Sequence, residues 1–211
     1  MHRSVNAKDA RQRISRRSFL RGSGAAAAAT AALETALAGV AEAAAEGAAP
    51  QVVGPDETPI TLRVNGATRT VAIEPRATLA EVLRGPLGLT GTKIGCDRGA
   101  CSACTVLLNG APVASCSMLA IDLGDRAITT IEGLARGETL HPVQAAFIAH
   151  DALQCGFCTP GLALSCAALL ERVPHPTESD IKAAISGHFC RCGTYPHVVE
   201  AVLAAAEARR G

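Results

Sequence analysis

From about Glu57 the chain alternates apolar and polar positions with a period of two: Ile60, Leu62 and Val64 are separated by Thr61 and Arg63, and Val71 and Ile73 resume the pattern after Asn65-Gly66. That dipeptide is a strong hairpin signal, because a two-residue turn between twisted strands needs positive φ at both central positions. Two antiparallel strands are therefore predicted. Residues 78–84, opened by Thr78 as a cap, predict a short helix, and Thr105 to Leu108, Asn109-Gly110 and Ala111 to Ala114 predict a second hairpin. Ala127 to Ile131 reads as a last strand, so a small mixed sheet packed on one helix is expected.

Beyond about Thr139 the pattern turns helical and holds no convincing strand. His141-Pro142 opens a helix to about His150, and Pro160 opens another through Val173, each proline standing near the first helical position, where its missing N–H costs nothing. Thr177, with Asp180 three residues on, has the form of a capping box and starts a third helix ending at Gly187; Pro196 opens a fourth to about Arg209. The expected fold class is α+β, with a sheet domain over residues 58–136 and an all-α four-helix domain over residues 137–209.

Eight of the nine cysteines fall into two sets of four. The first, Cys96-x4-Cys101-x2-Cys104-x11-Cys116, has the plant-type spacing that wraps a 2Fe-2S cluster. The second is Cys155-x2-Cys158, followed after 31 residues by Cys190-x-Cys192. Four disulfides are a competing use, although a disulfide scaffold suits a short chain without a core, and this one is 48% hydrophobic. Zinc competes more for the second set, where a C-x2-C pair occurs, than for the first. A Rieske centre needs two histidine ligands, and none lies between Cys96 and Cys116 or beside Cys155. Gly95, Gly99, Ala100, Ser102 and Ala103 make a thin wall that lets backbone N–H groups approach sulfur. Single-electron transfer is the chemistry this pattern points to. The second set converges only if the two helix connections that carry it meet at one end of the bundle.

The amino-terminal residues change the picture of where the protein works. Ser15-Arg16-Arg17-Ser18-Phe19-Leu20-Arg21 is a twin-arginine sequence, followed by an alanine-rich, moderately apolar run from Gly22 to about Val40 and small-residue sites such as Ala36-Leu37-Ala38. Residues 1–50 are read as an export leader and linker outside the fold, which implies a periplasmic protein carried across folded. The run is too weakly hydrophobic, and interrupted by Glu34, to serve as a transmembrane span. Its Gly22-x-Gly24-x-x-Ala27 string has no strand before it and is no dinucleotide fingerprint. Residues 1–21 hold seven of the 20 Lys and Arg and one of the 19 Asp and Glu, leaving 13 basic against 18 acidic residues and a net charge of −5. With one Tyr and no Trp besides, nucleic-acid binding is not expected.

The strings GCDRGACSACTV, QCGFCTPG and CRCGTYP resemble the iron-sulfur subunit of the molybdenum hydroxylases, the xanthine oxidase and aldehyde oxidoreductase family, over about residues 58–208. The resemblance implies an N-terminal β-grasp 2Fe-2S ferredoxin-like domain and a four-helix domain with a second 2Fe-2S cluster, with all eight ligand positions matched. It implies that the helical-domain cluster lies beside a molybdopterin cofactor, approached by Gln154 and Cys192, and that the other lies further out, toward the acceptor. About 170 residues beyond the leader are used by two small domains. Substrate oxidation is therefore expected on a large molybdopterin-binding partner subunit, with FAD on a medium partner subunit or a cytochrome as acceptor. The expected function is electron transfer within a molybdenum-dependent aldehyde oxidoreductase (dehydrogenase). An isoquinoline-type N-heteroaromatic oxidoreductase and a free two-cluster ferredoxin stand as alternatives, and no catalytic residue is expected on this chain.

The remaining candidates read plainly. Cys166, in the apolar run GLALSCAALL, behaves as a small hydrophobe, and the six histidines are scattered polar side chains. Lys93 and Arg98 flank the first cysteine set, where they either adjust a cluster or stand as solvated charges.

Overall fold

Strand β1 (Thr58–Val64) turns through Asn65 (φ 51°) and Gly66 (φ 79°) into β2 (Ala67–Ile73), and the two pair antiparallel from Val64 opposite Ala67 to Thr58 opposite Ile73. Strands β3 (Thr105–Leu108) and β4 (Ala111–Ala114) repeat the device through Asn109 (φ 49°) and Gly110 (φ 81°). Both hairpins are those the dipeptides predicted. This computed structural model describes residues 53–209; the export leader, Arg16 and Arg17 included, lies outside the described residues.

Strand β5 (Ala127–Thr129) enters between the hairpins, parallel to β1 and antiparallel to β3, and gives the sheet order β2-β1-β5-β3-β4. It is shorter than the expected Ala127 to Ile131, because the Thr130 N–H that would extend the ladder donates instead to Asn65 Oδ1 at 2.9 Å. Residues Ile131–Gly133 then coil into a 3-10 turn. Helix α1 (Leu79–Arg84) crosses one face of the sheet; the Thr78 side chain accepts from the Glu81 N–H while the Glu81 carboxylate accepts from the Thr78 N–H, a complete capping box. Leu62, Val64, Ile73, Leu79, Val82, Leu83, Val106, Leu123 and Ile128 fill the core between helix and sheet. A helix laid across a mixed five-stranded sheet in this order is the β-grasp arrangement.

The second half consists of α2 (Pro142–Ala149), α3 (Thr159–Arg172), α4 (Glu178–Ile185) and α5 (Tyr195–Ala208). Thr177 and Asp180 form the predicted capping box, and α4 ends slightly before the expected Gly187, with Ser186 as its cap. Val143, Phe147, Leu162, Leu170, Ile181, Val198 and Val202 form the bundle core. Helix α3 is buried from Gly161 to Leu170 without a polar face. One side of it lies in the bundle, and the other carries Leu164 and Ala168 onto Leu107 of β3. Strand β3 is correspondingly buried on both faces. This seam fixes the two domains against each other, so the cysteines that each carries keep a set relation.

Candidate metal centres

The loop between α1 and β3 carries Cys96, Cys101 and Cys104, and Cys116 comes from the 3-10 turn Ser115–Ser117 after β4. The loop's base is tied down: Arg84 Nη1 donates to the carbonyls of Thr90 (2.9 Å) and Thr92 (2.7 Å), and the Gly91 N–H donates to Glu132 Oε1 (2.8 Å). Positive φ at Asp97, Gly99 and Ser102 curls the chain so that its N–H groups face inward. The Gly99 N–H reaches Cys116 Sγ at 3.2 Å, the Ala100 N–H reaches Cys96 Sγ at 3.3 Å, and the Cys116 N–H reaches Cys104 Sγ at 3.5 Å. A methyl at Gly95 would stand 3.1 Å from Cys101 Sγ, which is the close approach that a thin wall serves. Of the flanking cations, Arg98 braces the Cys96 carbonyl (3.2 Å) and Lys93 the Thr90 carbonyl (2.7 Å).

Within this set the sulfurs gather in twos. Cys96 meets Cys101 nearer the surface, and Cys104 meets Cys116 in a buried spot against Ala80 of α1. The Arg98 N–H, Cys101 and the Ala100 N–H draw the Cys96 thiol down to about 7. Burial pushes the Cys104 thiol up to about 11. A metal that replaces the proton on Cys104 therefore has to supply the charge that burial withholds.

The other four cysteines lie in the connections α2–α3 and α4–α5, which meet at one end of the bundle as the convergence argument required. Cys158 meets Cys190 and Cys155 meets Cys192. Cys155 is exposed and Cys192 half-buried, whereas Cys158 is buried, its thiol pushed up to about 12 chiefly by burial. Cys190 is raised by burial, but the hydroxyl and N–H of Thr194, then Cys158 and the Cys192 N–H, outweigh this and hold it at about 7. Helices α3 and α5 both begin here, with Cys158 and Thr194 at their N-caps, so two positive helix ends face the same four thiols. Gln154 is exposed beside Cys155, and Leu153, Phe157 and Phe189 in the same two connections are exposed apolar side chains.

A direct connection joins the sets. The Phe189 N–H, one residue before Cys190, donates to the Cys101 carbonyl at 3.2 Å. Gly161, in the first turn of α3, packs so closely on the loop that carries Cys96, Cys101 and Cys104 that a methyl there would lie 2.5 Å from the Ser102 carbonyl oxygen. Two supporting side chains had no signal in the spacing of the cysteines. Tyr195 Oη donates to the His188 carbonyl (2.9 Å) and accepts the Cys190 N–H (2.7 Å), while Thr194 Oγ1 lies 3.3 Å from Cys190 Sγ. His188 is buried, its Nε2 paired with Ser165 Oγ at 2.8 Å. Cys166 lies in the bundle core, its thiol pushed up to about 12 by burial, in accord with its reading as an apolar residue.

All nine thiols are free, and among the described residues no three His, Cys, Asp or Glu side chains close on one ion position. A 2Fe-2S cluster takes two thiolates on each of two irons. Thiols gathered two by two, with N–H donors on their sulfurs, fit the cluster. Residues 62–129 match the family described as 2Fe-2S iron-sulfur cluster binding domain, and residues 130–203 the [2Fe-2S] binding domain. Residues 13–32 match the twin-arginine translocation pathway signal sequence. The chain is 50% identical over 148 residues to the nicotine 6-hydroxylase small subunit of Paenarthrobacter nicotinovorans, covering 70% of this chain and 89% of that one. It is 43% identical to the aldehyde oxidoreductase iron-sulfur-binding subunit PaoA of Escherichia coli, covering 72% and 73% respectively. Quinoline 2-oxidoreductase from Pseudomonas putida superposes with a TM-score of 0.71 at 43% identity, over 74% of this chain and 98% of that one. With two [2Fe-2S] domains in tandem behind a twin-arginine signal, the chain belongs to the iron-sulfur subunits of the molybdenum hydroxylases, the xanthine oxidase and aldehyde oxidoreductase family.

Proposed function

We propose that this chain is the electron-transfer subunit of a periplasmic, molybdenum-dependent aldehyde oxidoreductase, linking a partner's molybdopterin to FAD on a further subunit or to another acceptor. Cys96 and Cys101 with Cys104 and Cys116 hold the outer centre, and Cys155 and Cys192 with Cys158 and Cys190 the inner one. A 2Fe-2S cluster in each set supplies one-electron redox chemistry. The division between sheet-borne residues 58–136 and helical residues 137–209 separates the two centres.

The observation that carries this reading is the polarity of the inner set. Cys155 is open beside exposed Gln154 whereas Cys158 is buried, Cys190 and Cys192 are both half-buried, and the Phe189 N–H next to Cys190 bonds the Cys101 carbonyl. The exposure of Gln154 and Cys155 supports an approach of a partner's cofactor at Gln154 and Cys192, and the peptide from Cys190 through Phe189 to Cys101 supports a short bonded route outward. The seam between β3 and α3, where Leu107 packs on Leu164 and Ala168, holds the relation of the two centres. The Tyr195 hydroxyl satisfies the Cys190 N–H, so the ligand loop keeps its shape without borrowing a donor from the sulfurs.

Purification of the native protein from a periplasmic extract tests the proposal. A large molybdenum-containing subunit and an FAD subunit should travel with the chain, and the complex should reduce an artificial acceptor with aldehydes. Elution of the chain alone, without molybdenum, contradicts it. The nicotine and quinoline enzymes among the relatives speak for a second reading of the substrate alone, in which the partner oxidises N-heteroaromatic rings. Activity of the purified complex on such rings and not on aldehydes assigns that reading.

A further inference from the structure

Among the described residues three helices have threonine at the N-cap, and one of these threonines is not used as a cap. The side chains of Thr78 and Thr177 accept the N–H of Glu81 and Asp180, with ψ of 156° and 164° at the cap residue. Thr194, before α5, has ψ of 6° and makes no side-chain bond to its helix. Its hydroxyl is turned the other way, to 3.3 Å from Cys190 Sγ. Thr194 is 7% exposed, so this hydroxyl is shielded from bulk water. The N–H of Cys190 itself is committed to Tyr195 Oη.

We propose that Thr194 tunes the inner centre by donating its hydroxyl hydrogen to the Cys190 sulfur, raising that centre's reduction potential and so favouring residence of the electron there. The proposal rests on Cys190 being a cluster ligand. A ligating thiolate carries no proton, so the hydroxyl must be the donor. Reduction adds one negative charge, part of which falls on the ligand sulfurs, and a hydrogen bond to a more negative acceptor is stronger. The donor therefore stabilises the reduced state more than the oxidised state, which moves the potential upward. The outer set has a weaker counterpart, Ser117 Oγ at 3.7 Å from Cys116 Sγ.

Thr194→Val keeps the shape of the side chain and removes the donor. Redox titration of the cluster-loaded native complex, followed by electron paramagnetic resonance, should show the inner signal harder to reduce and the outer signal unmoved. Loss of one charge-assisted bond should change the electron's partition between the centres by about tenfold, or about 59 mV for one electron. Thr194→Ser should return the midpoint toward that of the unmodified protein. A purely structural role for Thr194 would lower thermal stability without moving the midpoint. Both signals present with the inner midpoint unchanged overturns the proposal and leaves the ligand assignment standing. Should Thr194→Val lose the inner signal, Thr194→Ala and Thr194→Ser carry the comparison: a higher midpoint for Ser supports the proposal, and equal midpoints overturn it. Absence of a second signal from the unmodified protein removes the ligand assignment itself.

Discussion

Replacing Gly161 by alanine tests the contact between the two cysteine-bearing segments. On an isolated helix the change helps, since alanine is favoured over glycine in a helix by about 1 kcal/mol. Here the new methyl would lie 2.5 Å from the Ser102 carbonyl oxygen, 3.3 Å from His188 Cε1 and 3.4 Å from Thr105 Cβ. The first of these is roughly 0.9 Å short of ordinary contact and involves a backbone atom, which cannot rotate aside; overpacking of this kind costs about 1–3 kcal/mol. Taking about 2.5 kcal/mol for the clash and about 1 kcal/mol for the helix gain leaves about 1.5 kcal/mol of net destabilisation. For a chain of this size that lowers the unfolding midpoint by about 3–6 °C. The same displacement of α3 from the outer loop strains the Phe189 to Cys101 hydrogen bond, so electron exchange between the centres should slow. Thermal unfolding of the cluster-loaded chain, followed by circular dichroism and by the visible cluster absorbance, reads the first effect, and flash-initiated reduction reads the second. A midpoint that rises, as on a free helix, would refute the packing argument.

Other consequences can be checked separately. Cys101→Ala should abolish one of two reduced-state paramagnetic signals and spare the other; survival of both signals counts against the outer ligand set. Gln154→Ala should slow electron exit from the molybdenum partner with both clusters still present, and an unchanged rate would return Gln154 to an ordinary exposed amide. Tyr195→Phe leaves the Cys190 N–H without its acceptor, at a cost of about 1–3 kcal/mol if no water replaces the hydroxyl, visible as a lower unfolding midpoint and faster loss of the inner cluster. Lysine at both Arg16 and Arg17 should hold the complex in the cytoplasm, and cell fractionation showing continued export would contradict the leader assignment.

What the sequence made legible is what local chemistry decides. Asn65-Gly66 and Asn109-Gly110 set both hairpins, and Thr78, His141 and Thr177 mark helix starts, because turn geometry and caps involve residues a few positions apart. The end of β5 was not legible, since Asn65, far back in the chain, takes the Thr130 N–H. The apolar strings TVLL and GLALSCAALL announce burial on every side but not what lies opposite; only the fold lays Leu107 on Leu164 and Ala168. Spacing grouped the cysteines into fours but not into twos, because each pairing joins segments whose approach depends on the curl of a loop or the meeting of two connections. Thr194 and Tyr195 passed unnoticed for the same reason: their partners, Cys190 and His188, are close in sequence but are reached only through that loop's shape.

We propose two clusters held in series by eight thiols of one chain. Iron and acid-labile sulfide determined per chain in the native complex, with the paramagnetic spectrum of the same reduced sample, test it directly. Two [2Fe-2S] centres require about four irons and four sulfides per chain and two distinguishable signals. Zinc in either set, or half that iron with a single signal, would contradict it.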